Sequence, residues 1–192
     1  MKSIKTSLKN NKKYFKLLLI LLCLGFFIGS ILTKKLNIET LLENTKSIES
    51  YLNANKINFL TNHILTLLIL CISAITIIGL ILFPLNIIYE GICIFFNIYT
   101  LTNIFKLNGF VYSIIYITIT KGLYLSLLII IFKKLITLIK IAITKKDKNE
   151  RRALVFKALK QISIYFFLIV LNDFLIFLIG NKILSIFLFI IK

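Results

Sequence analysis

Residues 17–32 contain no charged side chain, and apolar stretches of comparable length recur four more times in a chain of 192 residues. A helix needs about 20 mostly apolar residues to cross the hydrocarbon core of a bilayer. The five stretches cover residues 15–32, 64–83, 85–105, 109–132 and 161–180. In lipid the backbone must satisfy its own hydrogen bonds, and a segment of this length does so as a helix. The sequence therefore predicts an all-α, polytopic membrane bundle of about five transmembrane helices. Residues 1–192 then form a single membrane domain.

Composition and charge agree. Hydrophobic residues make up 59% of the chain and charged residues 16%, against about a quarter charged in soluble domains. The net charge of +17 does not indicate nucleic acid, because the basic side chains flank the apolar stretches and build no basic face. Six lysines lie between Lys2 and Lys16, and ten basic residues lie between Lys133 and Lys160. Five spans put these two segments on one side, with sixteen basic residues there against seven opposite. Positive residues are held inside, so the N-terminus is expected in the cytoplasm. The first stretch is too long for a signal peptide and no small-residue cleavage site follows it, so it is expected to be retained. Abundant Ile, Lys and Asn, no Trp and one Pro suit an AT-rich genome and a bacterial cell membrane.

Segments between the spans carry their own patterns. Pro84 lacks a backbone donor and disfavours helix before it, which predicts a tight turn at Phe83-Pro84-Leu85. In the outer segment 33–62, Ile38, Leu41, Leu42, Thr45, Ile48 and Leu52 recur at helical spacing. Lys35, Glu39 and Glu43 follow one another at four-residue steps on the polar face. This predicts an outer amphipathic helix, with Glu39, Glu43, Leu41 and Leu42 as a partner-docking surface. Within the basic loop 133–160, Lys133, Thr137, Lys140 and Thr144 share one face of an interfacial helix along the inner leaflet. The charges beyond it suit anionic membrane lipids. Residues 183–191 are too short to cross and are expected on the outer surface or dipping in.

Three ionisable residues fall within spans: Glu90, Lys121 and Asp173. Charge in hydrocarbon costs about 2.5–3.5 kcal/mol per residue on insertion scales, so such groups face protein or water. At 1.5 Å per residue, Lys121 and Asp173 lie about 16 and about 18 Å from the inner ends of their spans. An intramembrane ion pair between them is expected. Glu90 lies about 8 Å into a span that begins after Pro84; it would meet a snorkelling Lys121 or reach the interface. Gly25 and Gly29 form a GxxxG pair for close helix packing, and Gly91 and Gly122 are candidates for the same role. Cys23, Cys71 and Cys93 all lie within spans without metal-ligand spacing, and His63 stands alone. No Walker motif, GxSxG or pair of catalytic carboxylates is present. No enzyme activity, cofactor or metal site is expected.

The order of these features resembles the stage II sporulation protein M family of bacterial membrane proteins, over nearly the whole chain. The resemblance rests on the Lys-rich start, the Gly25/Gly29 span, the outer helical segment and two closely joined spans bearing Glu90-Gly91. It continues through Phe105-Lys106-Leu107-Asn108-Gly109-Phe110, the basic inner loop and a last span bearing Asp173. Where the family has a proline and a polar residue near 118–122, this chain has Ile119-Thr120-Lys121-Gly122. The resemblance implies a scaffold that gathers and localises cell-wall hydrolases, or other membrane proteins, during forespore engulfment. The alternative is a permease or membrane subunit of a transporter, with Glu90, Lys121, Asp173, Asn86, Asn97 and Asn172 lining a polar path.

Overall fold

The computed structural model describes residues 2–35, 78–144 and 147–187, together with residues 39, 42, 43 and 50. Among the described residues every regular element is helical and no strand occurs. Helix α1 spans Lys2–Lys35, α2 spans Gly79–Thr144 and α3 spans Lys148–Ile186. All three are long and apolar enough to cross a membrane, with apolar segments at Tyr14–Lys35, Ile81–Ile141 and Arg152–Gly180. The stretches at 15–32 and 161–180 thus fall on α1 and α3, and those at 85–105 and 109–132 fall on α2. Most of the stretch at 64–83 lies outside the described residues, as do His63 and Cys71.

Helix α2 has 66 residues, about 99 Å if straight, and it folds back on itself. Lys106 has φ 55° and ψ −135°, outside helical geometry, and separates an arm at 79–105 from one at 107–144. Asn86 meets Tyr124, Glu90 meets Lys121 and Leu101 meets Gly109. These contacts keep a steady antiparallel register about Lys106. A Cβ on Gly109 would collide with the Leu101 carbonyl oxygen, so the missing side chain lets the arms close directly after the bend. Lys106 itself holds a positive φ that suits glycine, a strain of about 1–3 kcal/mol for other residues. Lys106→Gly is expected to stabilise the protein by about 1 kcal/mol, seen as a higher thermal unfolding midpoint in detergent. A lowered midpoint would mean that Lys106 holds the turn through its side chain.

The turn expected at Pro84 is absent. Ile81 N–H and Leu82 N–H both donate to the Ile78 carbonyl at 3.0 Å, and the helix runs from Gly79 through Pro84. Proline in the second turn removes only one bond, to the Leu80 carbonyl, at a helix end where few are lost.

The expected basic loop is also largely helical. Residues 133–144 continue α2 without a break and do not turn along a leaflet. Leu135 and Leu138 are buried in the same cluster as Ala158 and Ile162 of α3, and Lys134 Nζ donates to Gln161 Oε1 at 2.7 Å. Helix α3 then runs back along the second arm. Asp147 Oδ1 accepts from Asn149 N–H at 2.9 Å, capping α3, and Glu150 complements the dipole in its first turn. Of the tail expected at 183–191, residues 183–186 continue α3, closed by the Phe187 N–H on the Leu184 and Ser185 carbonyls, and residues 188–191 lie outside the described residues. Hydropathy marks where hydrocarbon begins and ends, whereas these helices continue because their flanks bury apolar side chains against each other.

Helix α1 runs parallel to the first arm, since Gly25 meets Gly91 and Gly29 meets Phe95. Helix α3 runs antiparallel to the second arm, since Gln161 meets Lys134 and Leu184 meets Tyr112. The apolar core divides in two. At the lysine-rich end Phe83, fully buried, contacts Phe132 and Phe166 with ring centroids 6.2 and 6.5 Å away. Near the Lys106 turn Leu101, Tyr112, Tyr116 and Leu184 form a second cluster.

Candidate functional site

Between the two apolar clusters lies a buried polar layer. Glu90 on the first arm and Lys121 on the second form an ion pair, Nζ to Oε2, of 2.9 Å. Their side chains are 2% and 9% exposed, so lipid does not reach the charges. One turn from Glu90, Asn86 Nδ2 donates to the Tyr124 hydroxyl at 2.9 Å. Lys121 Nζ also sits 5.6 Å from the centre of the Tyr124 ring, within cation–π range. The spacings explain the cluster: Asn86 and Glu90 are four apart, and Lys121 and Tyr124 three apart, so each pair shares a helix face. The antiparallel register then sets the two faces against each other.

Asp173 belongs to the same level. Interpolating between the Lys134–Gln161 and Tyr112–Leu184 contacts places it beside Lys121 and Gly122. It is 3% exposed, and Asn172 Nδ2 lies 3.5 Å from its Oδ1. The Tyr124 hydroxyl lies within electrostatic reach of both Asp173 and Glu90. Of the two acids that the sequence offers Lys121, Glu90 lies in direct ion-pair contact with it, and Asp173 lies at the same level. Glu90 and Lys121 meet because the arms of α2 run antiparallel about Lys106, which sets position 90 against position 121.

The glycine crossing lies at the same depth. Gly25 is nine residues from both Lys16 and Lys34, about 14 Å from either. A Cβ on Gly25 would lie 2.8 Å from Gly91 Cα and closer still to the Ile88 carbonyl oxygen. A Cβ on Gly91 would meet the Leu22 carbonyl oxygen at 2.7 Å. The α1 backbone thus rests directly on the first arm, one residue from Glu90. Gly29 faces the Phe95 ring, at 3.1 Å from an added Cβ. Gly122 has nothing within 4 Å and makes no close approach.

Most hydroxyls along the spans turn back on their own helix, which spares them burial without a partner in lipid. Thr118, Thr120 and Ser126 donate to the Ile114, Tyr116 and Gly122 carbonyls at 2.7, 2.7 and 2.8 Å. Cys23 is an exposed free thiol and Cys93 a half-buried one. Between α1 and α2, Glu39 and Glu43 are helical and exposed, and Leu42 is helical and half-buried; Leu41 lies outside the described residues.

The layer presents two carboxylates, one ammonium, two amides and a phenol, a set suited to tying helices together or meeting a small ion. The link between Asn86 and Tyr124 is the part that sequence reasoning missed. Its signal was the one-turn spacing to Glu90 and to Lys121, legible only once the two segments are known to be antiparallel neighbours. No protein-family model matches the chain, and no significant match was found among curated proteins or solved structures.

Proposed function

We propose that the chain is a multi-pass membrane scaffold of the kind that the stage II sporulation protein M resemblance implies. It gathers and localises peptidoglycan-degrading partners at a bacterial cell membrane during forespore engulfment, with its N-terminus in the cytoplasm. The observation that carries the scaffold reading is the pairing of Glu90 with Lys121 inside a packed layer. Both charges are engaged with each other between two apolar clusters, as a lock requires. A recess lies near the lysine-rich end, lined by Phe15, Ser126, Ile129, Ile130 and Lys133, and none of the layer's charges lines it. On this reading the exposed Glu39 and Glu43 lie on the outer docking surface.

The buried acid on α3 favours the second reading, a membrane subunit of a transporter, because ionisable groups inside spans often mark substrate or proton pathways. One experiment separates the two: recovery of the tagged full chain from membranes during septation. The scaffold is expected to bring down cell-wall hydrolases, with recovery lost in Glu39→Lys/Glu43→Lys. Recovery of an ATPase subunit in their place would overturn the scaffold.

A further inference from the structure

At the lysine-rich end, between α1 and the second arm of α2, a recess of about 190 Å³ is lined by Phe15, Ser126, Ile129, Ile130 and Lys133. Its floor is apolar. Ser126 contributes little polarity, because its hydroxyl is engaged with the Gly122 carbonyl. Water has no reason to order there, since a buried water needs two to four polar partners. One cation stands at the edge, Lys133, at the same end of the bundle as the exposed Lys12 and Lys16. Lys12 precedes and Lys16 lies in the first turn of the apolar segment that begins at Tyr14, the place where a helix entering a bilayer meets lipid phosphates.

An apolar slot closed at its interfacial end by ammonium groups matches one ligand chemistry: an alkyl chain carrying an anionic head. We propose that this recess binds an anionic phospholipid of the leaflet at the lysine-rich end. One acyl chain lies along Phe15, Ile129 and Ile130, and the phosphate meets Lys133 together with Lys12 and Lys16. A general attraction between basic loops and acidic membranes is a property of any such protein. The site differs from it by having a shape, set by the α1 crossing on α2, and by needing the chain as well as the charge. The inference rests on the membrane reading alone and is independent of the scaffold role.

Native mass spectrometry of the full chain released from detergent tests the site. The ligands are phosphatidylglycerol, phosphatidylcholine with the same acyl chains, and glycerol phosphate. Phosphatidylglycerol is expected to be retained with one copy per chain. Lys133→Gln should weaken it about fivefold, the factor for one basic side chain near a lipid surface, and Lys133→Arg should keep it. Ser126→Phe fills the slot without touching a charge and should weaken it as much, which decides the matter if Lys133→Gln fails to fold. Lys157→Gln, exposed on α3 outside the recess, should leave it unchanged. Equal retention of phosphatidylcholine would overturn the site, as would glycerol phosphate competing on equal terms or Lys157→Gln losing as much as Lys133→Gln.

Discussion

Gly25→Leu is expected to detach α1 from the bundle and abolish monodisperse protein in detergent. The first added carbon already collides with the Ile88 carbonyl oxygen and lies 2.8 Å from Gly91 Cα. Both are backbone atoms of a hydrogen-bonded helix, so no rotamer change makes room. Even Gly25→Ala forces the axes apart, at about 1–3 kcal/mol for overpacking. It also lengthens every contact at an interface that packing alone sustains, because lipid supplies no hydrophobic drive between helices. Gly91→Ala should cost as much, since its Cβ meets the Leu22 carbonyl oxygen at 2.7 Å. Gly29→Ala should cost less, because its neighbour is the Phe95 side chain, which can rotate. Gly122→Ala is the control: its Cβ meets nothing, and alanine gains up to about 1 kcal/mol of helix propensity. Yield and thermal midpoint in detergent report all five variants. A Gly25→Leu protein with wild-type yield and midpoint would show that α1 does not rest on α2 as described.

The same glycines show what a sequence reveals and what it hides. Gly25 and Gly29 advertise close packing by their spacing, yet spacing does not name the partner. Gly91 and Gly122 look equivalent as isolated glycines in spans, and only the register of α1 against the first arm separates them. Helical character, the lysine-rich end and the reversal near Lys106 were legible, because hydropathy and charge act locally along the chain. Helix ends were not. Pro84 reads as a terminator, but near the start of a helix it removes a single bond. Leu135, Leu138 and Ala158 extend their helices past the stretches expected at 109–132 and 161–180 by packing on one another, a long-range effect with no local mark. Which acid lies against Lys121 was hidden for the same reason: the antiparallel register of the two arms about Lys106 sets position 90 against position 121.

Depth is what joins the two devices at the centre of the bundle. The glycine crossing and the Glu90–Lys121 pair occupy adjacent positions on the first arm, at 91 and 90. The crossing brings α1 over the layer on one side, and α3 carries Asp173 to the same level on another. Each element makes the other necessary. Charges in hydrocarbon demand a sheath of protein, and a backbone-to-backbone crossing supplies it without side chains that would prop the helices apart. On this argument the layer fixes which residues meet, while the apolar clusters to either side supply most of the buried surface.

That division of labour predicts the effect of taking the pair apart. Glu90→Ala takes from the Lys121 ammonium its partner at 2.9 Å, and Lys121→Ala takes the same partner from the Glu90 carboxylate, each at about 3–5 kcal/mol for breaking a buried pair. Either should lower the midpoint and the folded yield sharply. The exchange Glu90→Lys/Lys121→Glu should recover only part of the loss, since it restores attraction but moves the acid relative to Asp173 and the Tyr124 ring. The apolar double replacement Glu90→Met/Lys121→Met should be neutral or stabilising, because replacing a buried pair by packed apolar residues commonly gains about 1–4 kcal/mol. If the exchange performed no better than either single replacement, the ion pair would not be what couples the arms. The double-methionine protein then separates lock from pathway. A scaffold with a rebuilt apolar lock should still recover its partners from membranes. A transporter subunit deprived of this buried pair should fold, bind its ATPase and carry nothing.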